Sequence, residues 1–358
     1  MRKIRLLHIT ATHLNLTGGI PVVLRDLVNA QNNIDGFEAR VLSVRADITN
    51  IKSSSFDFLG NRSFEKYLSD YNPNVVIFHS HYYLEYVSMS RTLRKRGIPY
   101  FIEPHGSFGV AALQKSKYRK IVANYLVLNT LLRKAKGYIF LNESEKLDSK
   151  FHAGLDLVIP NGIYEEDIVE EYDAIGEWSF YFVGRFDIRH KGLDILFDAL
   201  DILEQRKVPM KLNLFGTGSA SEIEYVNERV KKYDCLQVQN CGPVYGDDQK
   251  QRLEKHGIMI LSSRYEGFPM TVLEAWKYGN PCLVTPGTNV QKEIVMHELG
   301  WGTSLDAHSI ADAMIKAQNE YISAREDYII RCKKYVKDTY SWDRLAQISY
   351  EKLSEICM

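Results

Sequence analysis

Two α/β domains, each a doubly wound parallel sheet, are the fold this sequence predicts. Three observations carry that prediction. Short apolar runs alternate with segments of helical period from one end of the chain to the other, the pattern of a parallel sheet covered on both faces. The alternation breaks off once, at residues 162–177, and then starts afresh. A chain of 358 residues also exceeds one ordinary core and suits two domains of about 150–200 residues each.

In the first half, residues 4–9, 39–44, 75–78, 100–102, 138–141 and 157–159 read as buried strands. Residues 22–30, 84–96 and 118–133 between them recur at helical spacing. Pro160-Asn161-Gly162 is turn chemistry, and the acidic stretch 165–177 has little apolar period. The second alternation opens at residues 179–184. Its later strands fall at 211–215, 236–240, 258–261 and 281–284. The expected domains are therefore 1–165 and 166–340. A last helix, 342–356, follows the second domain, and the segment of about 341–358 is free to pack back on the first.

Hydrophobic residues at 45% and charged residues at 25% mark a soluble globular chain, not a disordered or fibrous one. Lys plus Arg and Asp plus Glu both number 45, which speaks against an obligate nucleic-acid binder. The total conceals an asymmetry: residues 1–165 carry 22 basic and 14 acidic side chains, the remainder 23 and 31. Basic clusters at Arg91, Arg94, Lys95, Arg96 and at Lys115, Lys117, Arg119, Lys120 suit an anionic membrane surface or an acidic ligand, and equally a solvated helix face. Residues 115–134, with Tyr118, Tyr125 and Leu126, are amphipathic enough to keep peripheral membrane contact open. Cys235, Cys241, Cys282, Cys332 and Cys357 form an odd set without CxxC spacing, as in a reducing compartment. The basic start gives way to an apolar run that breaks at His8, so no signal peptide is read. No run approaches the ~20 apolar residues of a membrane span. The expected location is cytoplasmic, with at most peripheral contact at the inner face of the membrane.

Ligands of open parallel sheets bind beyond the carboxyl ends of the strands, and the residues with chemical potential follow strands. Thr17-Gly18-Gly19-Ile20-Pro21 precedes the first long helix, where paired glycines allow close backbone approach to an anionic group or simply a tight turn. His79-Ser80-His81 has the spacing of a metal-ligating pair, but no partner motif completes a site, so cleft lining or packing is the plainer reading. His105 projects from Glu103-Pro104-His105-Gly106-Ser107. Gly184-Arg185 and Lys191-Gly192 place cations around a strand-to-helix turn, where both reach a phosphate oxygen. Gly216-Thr217-Gly218 repeats the strand–glycine–helix plan. The strongest signal is Glu266-Gly267-Phe268-Pro269-Met270-Thr271-Val272-Leu273-Glu274. A helix starting near Pro269 and ending at Gly279 puts Glu266 before it, Glu274 inside it, and amides at 270–272 ready for a diphosphate.

Glu266 and Glu274 match the E-x7-E motif of the retaining GT-B glycosyltransferases of family 4 (glycosyl transferases group 1). Gly184-Arg185 with Lys191-Gly192 resembles that family's phosphate-binding element, Gly18-Gly19 its glycine loop, and His105 its cleft histidine. Pro160-Asn161-Gly162 resembles its linker entry. Order and spacing agree over nearly the whole chain, although Gly216-Thr217-Gly218-Ser219-Ala220 lacks the proline and arginine common after the family's glycines.

The resemblance implies two Rossmann-like domains facing across a cleft, the first taking the acceptor and the second the nucleotide sugar. It implies a hexosyltransferase that needs no metal and no cofactor, the nucleoside-diphosphate sugar being a substrate. A UDP-sugar is the preferred donor and a GDP-sugar the second. The acceptor is a glycan or lipid-linked saccharide of bacterial surface polysaccharide or glycoconjugate synthesis. Glu266 would hold the donor sugar, Glu274 the ribose, and His105 the sugar or the incoming nucleophile. Arg185, Lys191 and the helix start would stabilise the leaving diphosphate. Gly18, Gly19, Gly216, Gly218, Val244, Gly267, Phe268, Pro269, Met270, Thr271 and Val272 complete the donor set. His79, His81 and His105 are the acceptor-side candidates. A nucleotide-sugar epimerase of the same plan, or a non-catalytic nucleotide-sugar binder, remain alternatives. A nicotinamide-dependent dehydrogenase is disfavoured by the missing GxGxxG.

Overall fold

Every apolar run singled out above lies in one of two parallel sheets of the computed structural model, which describes residues 3–11, 19–45, 53–109, 128–168, 178–246, 253 and 257–356. Gly18, the basic cluster 115–120, most of the expected helix 118–133 and Cys357 lie outside the described residues. The first sheet is ordered β3 (Phe56–Phe58), β2 (Phe37–Ser43), β1 (Ile4–Thr10), β4 (Val75–His79), β5 (Tyr100–Glu103), β6 (Gly137–Phe140) and β7 (Leu157–Val158). The second is ordered β10 (Gln237–Gly242), β9 (Lys211–Phe215), β8 (Phe180–Val183), β11 (Ile258–Leu261), β12 (Cys282–Val284) and β13 (Gly300–Gly302). Strand order therefore reverses between β1 and β4 in one sheet and between β8 and β11 in the other, the two topological switch points.

Two units result, Met1–Gly162 with Ser341–Met358 and Ile163–Tyr340. In the first, alternate strand residues feed two cores. Leu7, Ile9, Val76, Phe78, Tyr100 and Ile102 face one side, with α2 (Phe64–Tyr71) and α3 (Glu85–Lys95). Ile4, Leu6, Val75, Ile77 and Phe101 face the other, with α1 (Gly19–Asn32). Each such side chain stabilises the fold by about 1.5–3 kcal/mol through burial. Short helices α4 (Asn129–Arg133) and α5 (Glu143–Asp148) follow β5 and β6.

The second unit carries α6 (Leu193–Gln205), α7 (Ala220–Val230), α8 (Met270–Lys277), α9 (Gln291–Met296) and α10 (Ala307–Tyr340), the last broken at Ala324. Its first and last residues meet, Ile163 N–H donating to the Tyr340 carbonyl at 2.9 Å. The chain then returns to the first unit as α11 (Trp342–Ile356), whose Tyr350 and Leu353 join the core beside α1. Among the described residues no helix is long and apolar enough to cross a membrane.

Candidate active site

The second unit concentrates its chemistry at its switch point. β8 leads into Gly184 and Arg185, and the chain turns at Asp187, whose carboxylate accepts from the His190 amide at 3.0 Å. Gly192 then starts α6 in the left-handed region (φ 65°). Only glycine fits there: a Cβ would stand 2.0 Å from the Ser262 carbonyl oxygen. Ser262, just past β11, in turn donates its hydroxyl to the carbonyls of Lys191 and Gly192 at 3.0 and 3.1 Å. The loops after the two central strands are thereby fastened to each other.

That fastening brings Lys191 and Glu266 into contact. Lys191 Nζ donates to Glu266 Oε1 at 2.6 Å, and Ser263 Oγ donates to the same oxygen at 2.6 Å. Both charged side chains are nearly buried, at 13% and 11% exposure. His190 stacks on Tyr265 (centroids 4.2 Å, 17° apart) and donates to its carbonyl at 2.7 Å. Burial lowers the His190 pKa from the ordinary imidazole value. Asn289, itself at φ 62°, donates to the Glu266 carbonyl at 2.6 Å. Arg264 grips Asp194 with two bonds of 2.7 Å. Arg185 is different: it is 66% exposed and lies 3.5 Å from Asp187. Of the two expected phosphate cations, Lys191 is held by Glu266 and Arg185 is set out towards solvent.

The helix starts differ as well. Ser219 and Glu222 close the start of α7 with a reciprocal capping box that occupies the amides of both residues. Gly216 serves packing, since a Cβ there would meet the Gly184 carbonyl oxygen at 2.0 Å. No side chain caps α8, where Pro269 occupies the cap position one residue before the helix. Of its first three amides, that of Val272 already donates to the Pro269 carbonyl at 2.9 Å, while those of Met270 and Thr271 come before any intrahelical acceptor. Beside them Thr271 Oγ1 is buried without a hydrogen-bond partner among the described residues. Glu274 is the fifth residue of this helix and half-buried. Gly279 follows the end of α8 at φ 79°, a position glycine takes readily. Val244 and Phe268 are both buried at 6% exposure, and Phe268 lies against Tyr340.

In the first unit the histidines part company. Ser80, at φ 66°, ends β4 by turning the chain, so His79 and His81 do not form a pair. His81 packs at a tilt against Tyr82 and Phe108 (centroids 3.8 and 4.6 Å), with Ser107 Oγ 3.2 Å from its Nδ1. His79 points between His8 and His105, its ring nitrogens 2.8 and 3.0 Å from theirs. Both His79 and His81 show no surface, so of the three acceptor-side candidates only His105, at 12% exposure, reaches it. His79, Glu103 and His105 each bring one ligand-type atom within 4.8 Å of the others. Gly106 N–H, next to His105, donates to Glu145 Oε1 at 2.5 Å, and Leu141 N–H to its other oxygen at 2.7 Å. Motif reading passed over His8, Glu145, His190, Ser263 and Asn289. A polar residue inside an apolar strand, as at His8, is the one local signal that marked any of them.

Solved structures share this architecture over nearly the whole chain. Sucrose-phosphate synthase from Thermosynechococcus elongatus superposes with a TM-score of 0.77 at 17% identity, covering 98% of this chain and 99% of that one. The Anabaena protein HepE, in complex with UDP, gives 0.71 at 15% identity over 99% and 100%. The fold is that of the GT-B glycosyltransferases. Residues 17–167 match the family described as Glycosyltransferase Family 4, and residues 178–320 that described as Glycosyl transferases group 1. Lipopolysaccharide 1,6-galactosyltransferase from Escherichia coli (strain K12) is 26% identical over 312 residues, 81% of this chain and 78% of its own length. The chain belongs to glycosyltransferase family 4, the glycosyl transferases group 1.

Proposed function

We propose that this glycosyltransferase takes a hexose from a nucleoside-diphosphate sugar, UDP before GDP, and passes it with retention to a glycan or lipid-linked saccharide of a bacterial surface polymer. One observation carries the reading: the Lys191–Glu266 contact sits at the switch point of the second sheet, in the loops after β8 and β11, and the chain runs from Glu266 directly into the open start of α8. Without donor, lysine and glutamate satisfy each other. A diphosphate laid on the α8 amides competes for Lys191 and releases Glu266 to accept from sugar hydroxyls. Thr271 Oγ1 supplies a further hydroxyl to the phosphate, and Glu274 accepts from the ribose. Fixed positive charge of this kind stabilises the leaving diphosphate in the transition state, so the reaction runs without a metal. His105 meets a hydroxyl of the sugar or of the acceptor.

The uridine in the HepE complex and the lipopolysaccharide acceptor named for the Escherichia coli relative support this choice of donor and acceptor. Binding of UDP, GDP and ADP by calorimetry, then of their sugar conjugates, tests the donor. UDP binding at least tenfold tighter than GDP, with UDP release on adding lipid-linked saccharide in the presence of EDTA, is the expected result. Donor turnover without any acceptor would favour the epimerase, and binding without turnover a carrier.

A further inference from the structure

His105 is the surface end of a buried chain of rings. On the face of the first sheet that carries Ile4, Leu6, Val75 and Ile77, the inward positions continue as His8 on β1 and His79 on β4. His8 Nε2 stands 2.9 Å from Gln31 Oε1, and Gln31 Nε2 donates to Ser349 Oγ at 3.2 Å, tying α1 to α11. His8 Nδ1 stands 2.8 Å from His79 Nε2, and His79 Nδ1 stands 3.0 Å from His105 Nε2. Burial holds His8 and His105 at a pKa of about 4 and lowers that of His79 well below the ordinary imidazole value. All three are neutral near pH 7. A neutral imidazole has one donor and one acceptor nitrogen, so these contacts can all be made only if the tautomers agree.

Gln31 turns its carbonyl oxygen to the ring and its amide nitrogen to Ser349 Oγ; in that sense of the amide His8 carries its proton on Nε2 and accepts at Nδ1, and the reversed amide would reverse every proton of the chain. His79 must then donate from Nε2, and accept at Nδ1 from the Nε2–H of His105. What is left over is His105 Nδ1, a lone pair without a partner among the described residues. The backbone at His105 is held as firmly, in the left-handed region (φ 50°) that costs a non-glycine residue about 1–2 kcal/mol, with Glu145 gripping the next amide. Glu103 flanks the last link, 3.5 Å from both ring nitrogens.

We infer that Gln31, His8 and His79 are positioning residues that lock His105 in its Nε2–H tautomer, so that the nitrogen it offers a ligand is an acceptor and the ligand group it selects is a hydroxyl. A carboxylate, phosphate or carbonyl of a ligand has no proton to give and is refused there. The inference rests on the proposed contact of His105 with sugar or acceptor, and refines that contact. Outer partners that orient a metal-ligating histidine are worth about 10–100-fold in affinity or activity, and the same scale is expected of partners that orient His105.

The test is long-range proton–nitrogen NMR of the full chain, labelled with 15N-histidine, at pH 7, with His105 assigned from a His105→Gln variant. Protonated Nε2 and unprotonated Nδ1 at His105 are expected. Gln31→Leu and His79→Phe are expected to mix the tautomers and to lower kcat about 10–100-fold, with KM for the donor within about twofold. His79→Asn returns an acceptor near the former Nδ1 and is expected to recover most of the turnover. Should His79→Phe fail to fold, Gln31→Leu at the far end of the chain of rings decides alone. A proton on His105 Nδ1, or full kcat in Gln31→Leu with mixed tautomers, overturns the lock. So does zinc bound at micromolar concentration with loss of these N–H signals, because a metal at His79, Glu103 and His105 would need both ring lone pairs. Full activity of His105→Gln, by contrast, would sink the functional contact and leave the NMR result to judge the lock.

Discussion

Lys191 shows how one side chain carries two opposite demands. Its ammonium is nearly buried against Glu266, and removing either partner leaves a charge with poor solvation. Breaking a buried pair in this way typically costs about 3–5 kcal/mol, and the residual exposure here puts the expectation at the lower end. Lys191→Ala is therefore expected to lower stability measurably and kcat by about 10²–10³. The double variant Lys191→Met/Glu266→Gln separates the two demands: it regains stability, because no unpaired charge remains, and regains no turnover. Chemical denaturation beside UDP-release kinetics makes the comparison, and a double variant with restored turnover would remove Lys191 from the donor site. The sequence marked Lys191 and Glu266 separately, from motif spacing. It did not mark their contact, since 75 residues separate them and the bond depends on the tie between Ser262 and Gly192. The exposed setting of Arg185 was equally illegible, because exposure is decided by what packs over a loop and not by the loop's own residues.

The start of α8 is where an element's geometry becomes a binding site. Pro269 fits the cap position because its missing amide proton is not needed there, and no side chain closes the end, in contrast to α7 with Ser219 and Glu222. Both helices follow strands and glycine-containing loops, so the strand–glycine–helix plan alone ranks them equally. The Ser219–Glu222 box, unmarked in the motif reading, occupies two donors at the start of α7 and so distinguishes it from α8. The unpartnered Thr271 hydroxyl gives a test with opposite signs. Thr271→Val relieves a buried group that lacks a bond, so thermal stability should hold or rise slightly, while UDP affinity should fall by several-fold, about the 1 kcal/mol of one hydrogen bond. Equal UDP affinity in calorimetry would place the diphosphate elsewhere. Gly216→Ala, which drives a Cβ into the Gly184 carbonyl oxygen, is expected to destabilise the second unit and weaken nucleotide binding together. β3 (Phe-Asp-Phe) and β13 (Gly-Trp-Gly) escaped sequence reading because neither holds an unbroken apolar run, which the equally short β12 and the two-residue β7 do. The longer buried strands were legible within a residue or two.

At the scale of the whole chain, the last helix belongs to the first unit although it follows the second in sequence. Apolar spacing marked its bounds but not its destination. Tyr350 and Leu353 beside α1 settle that, and Ser349 closes the bond chain that runs to His105. Deleting residues 341–358 is therefore expected to raise amide exchange throughout α1 and β1 while α6 and β8 stay protected; loss of protection in both units would make the helix a general requirement. The same unit stores titratable groups whose pH effects run in opposite directions. Burial raises the Glu145 pKa from 4.5 to about 7, partly offset by the amides of Leu141 and Gly106. The folded state then holds a proton the unfolded chain has lost, so this stabilising contribution is full below pH 4.5 and disappears as pH rises through about 7. Burial lowers the His8 pKa from 6.5 to about 4. Its contribution is full above pH 6.5 and disappears as pH falls towards 4, where the unfolded chain takes up the proton first. Each shift corresponds to about 3 kcal/mol. The stability of wild type relative to Glu145→Gln should accordingly fall between pH 4.5 and 7, and that relative to His8→Phe should fall between pH 6.5 and 4. Urea unfolding at half-unit pH steps measures both differences, and two curves with the same slope would mean that these groups are solvated in the folded first unit.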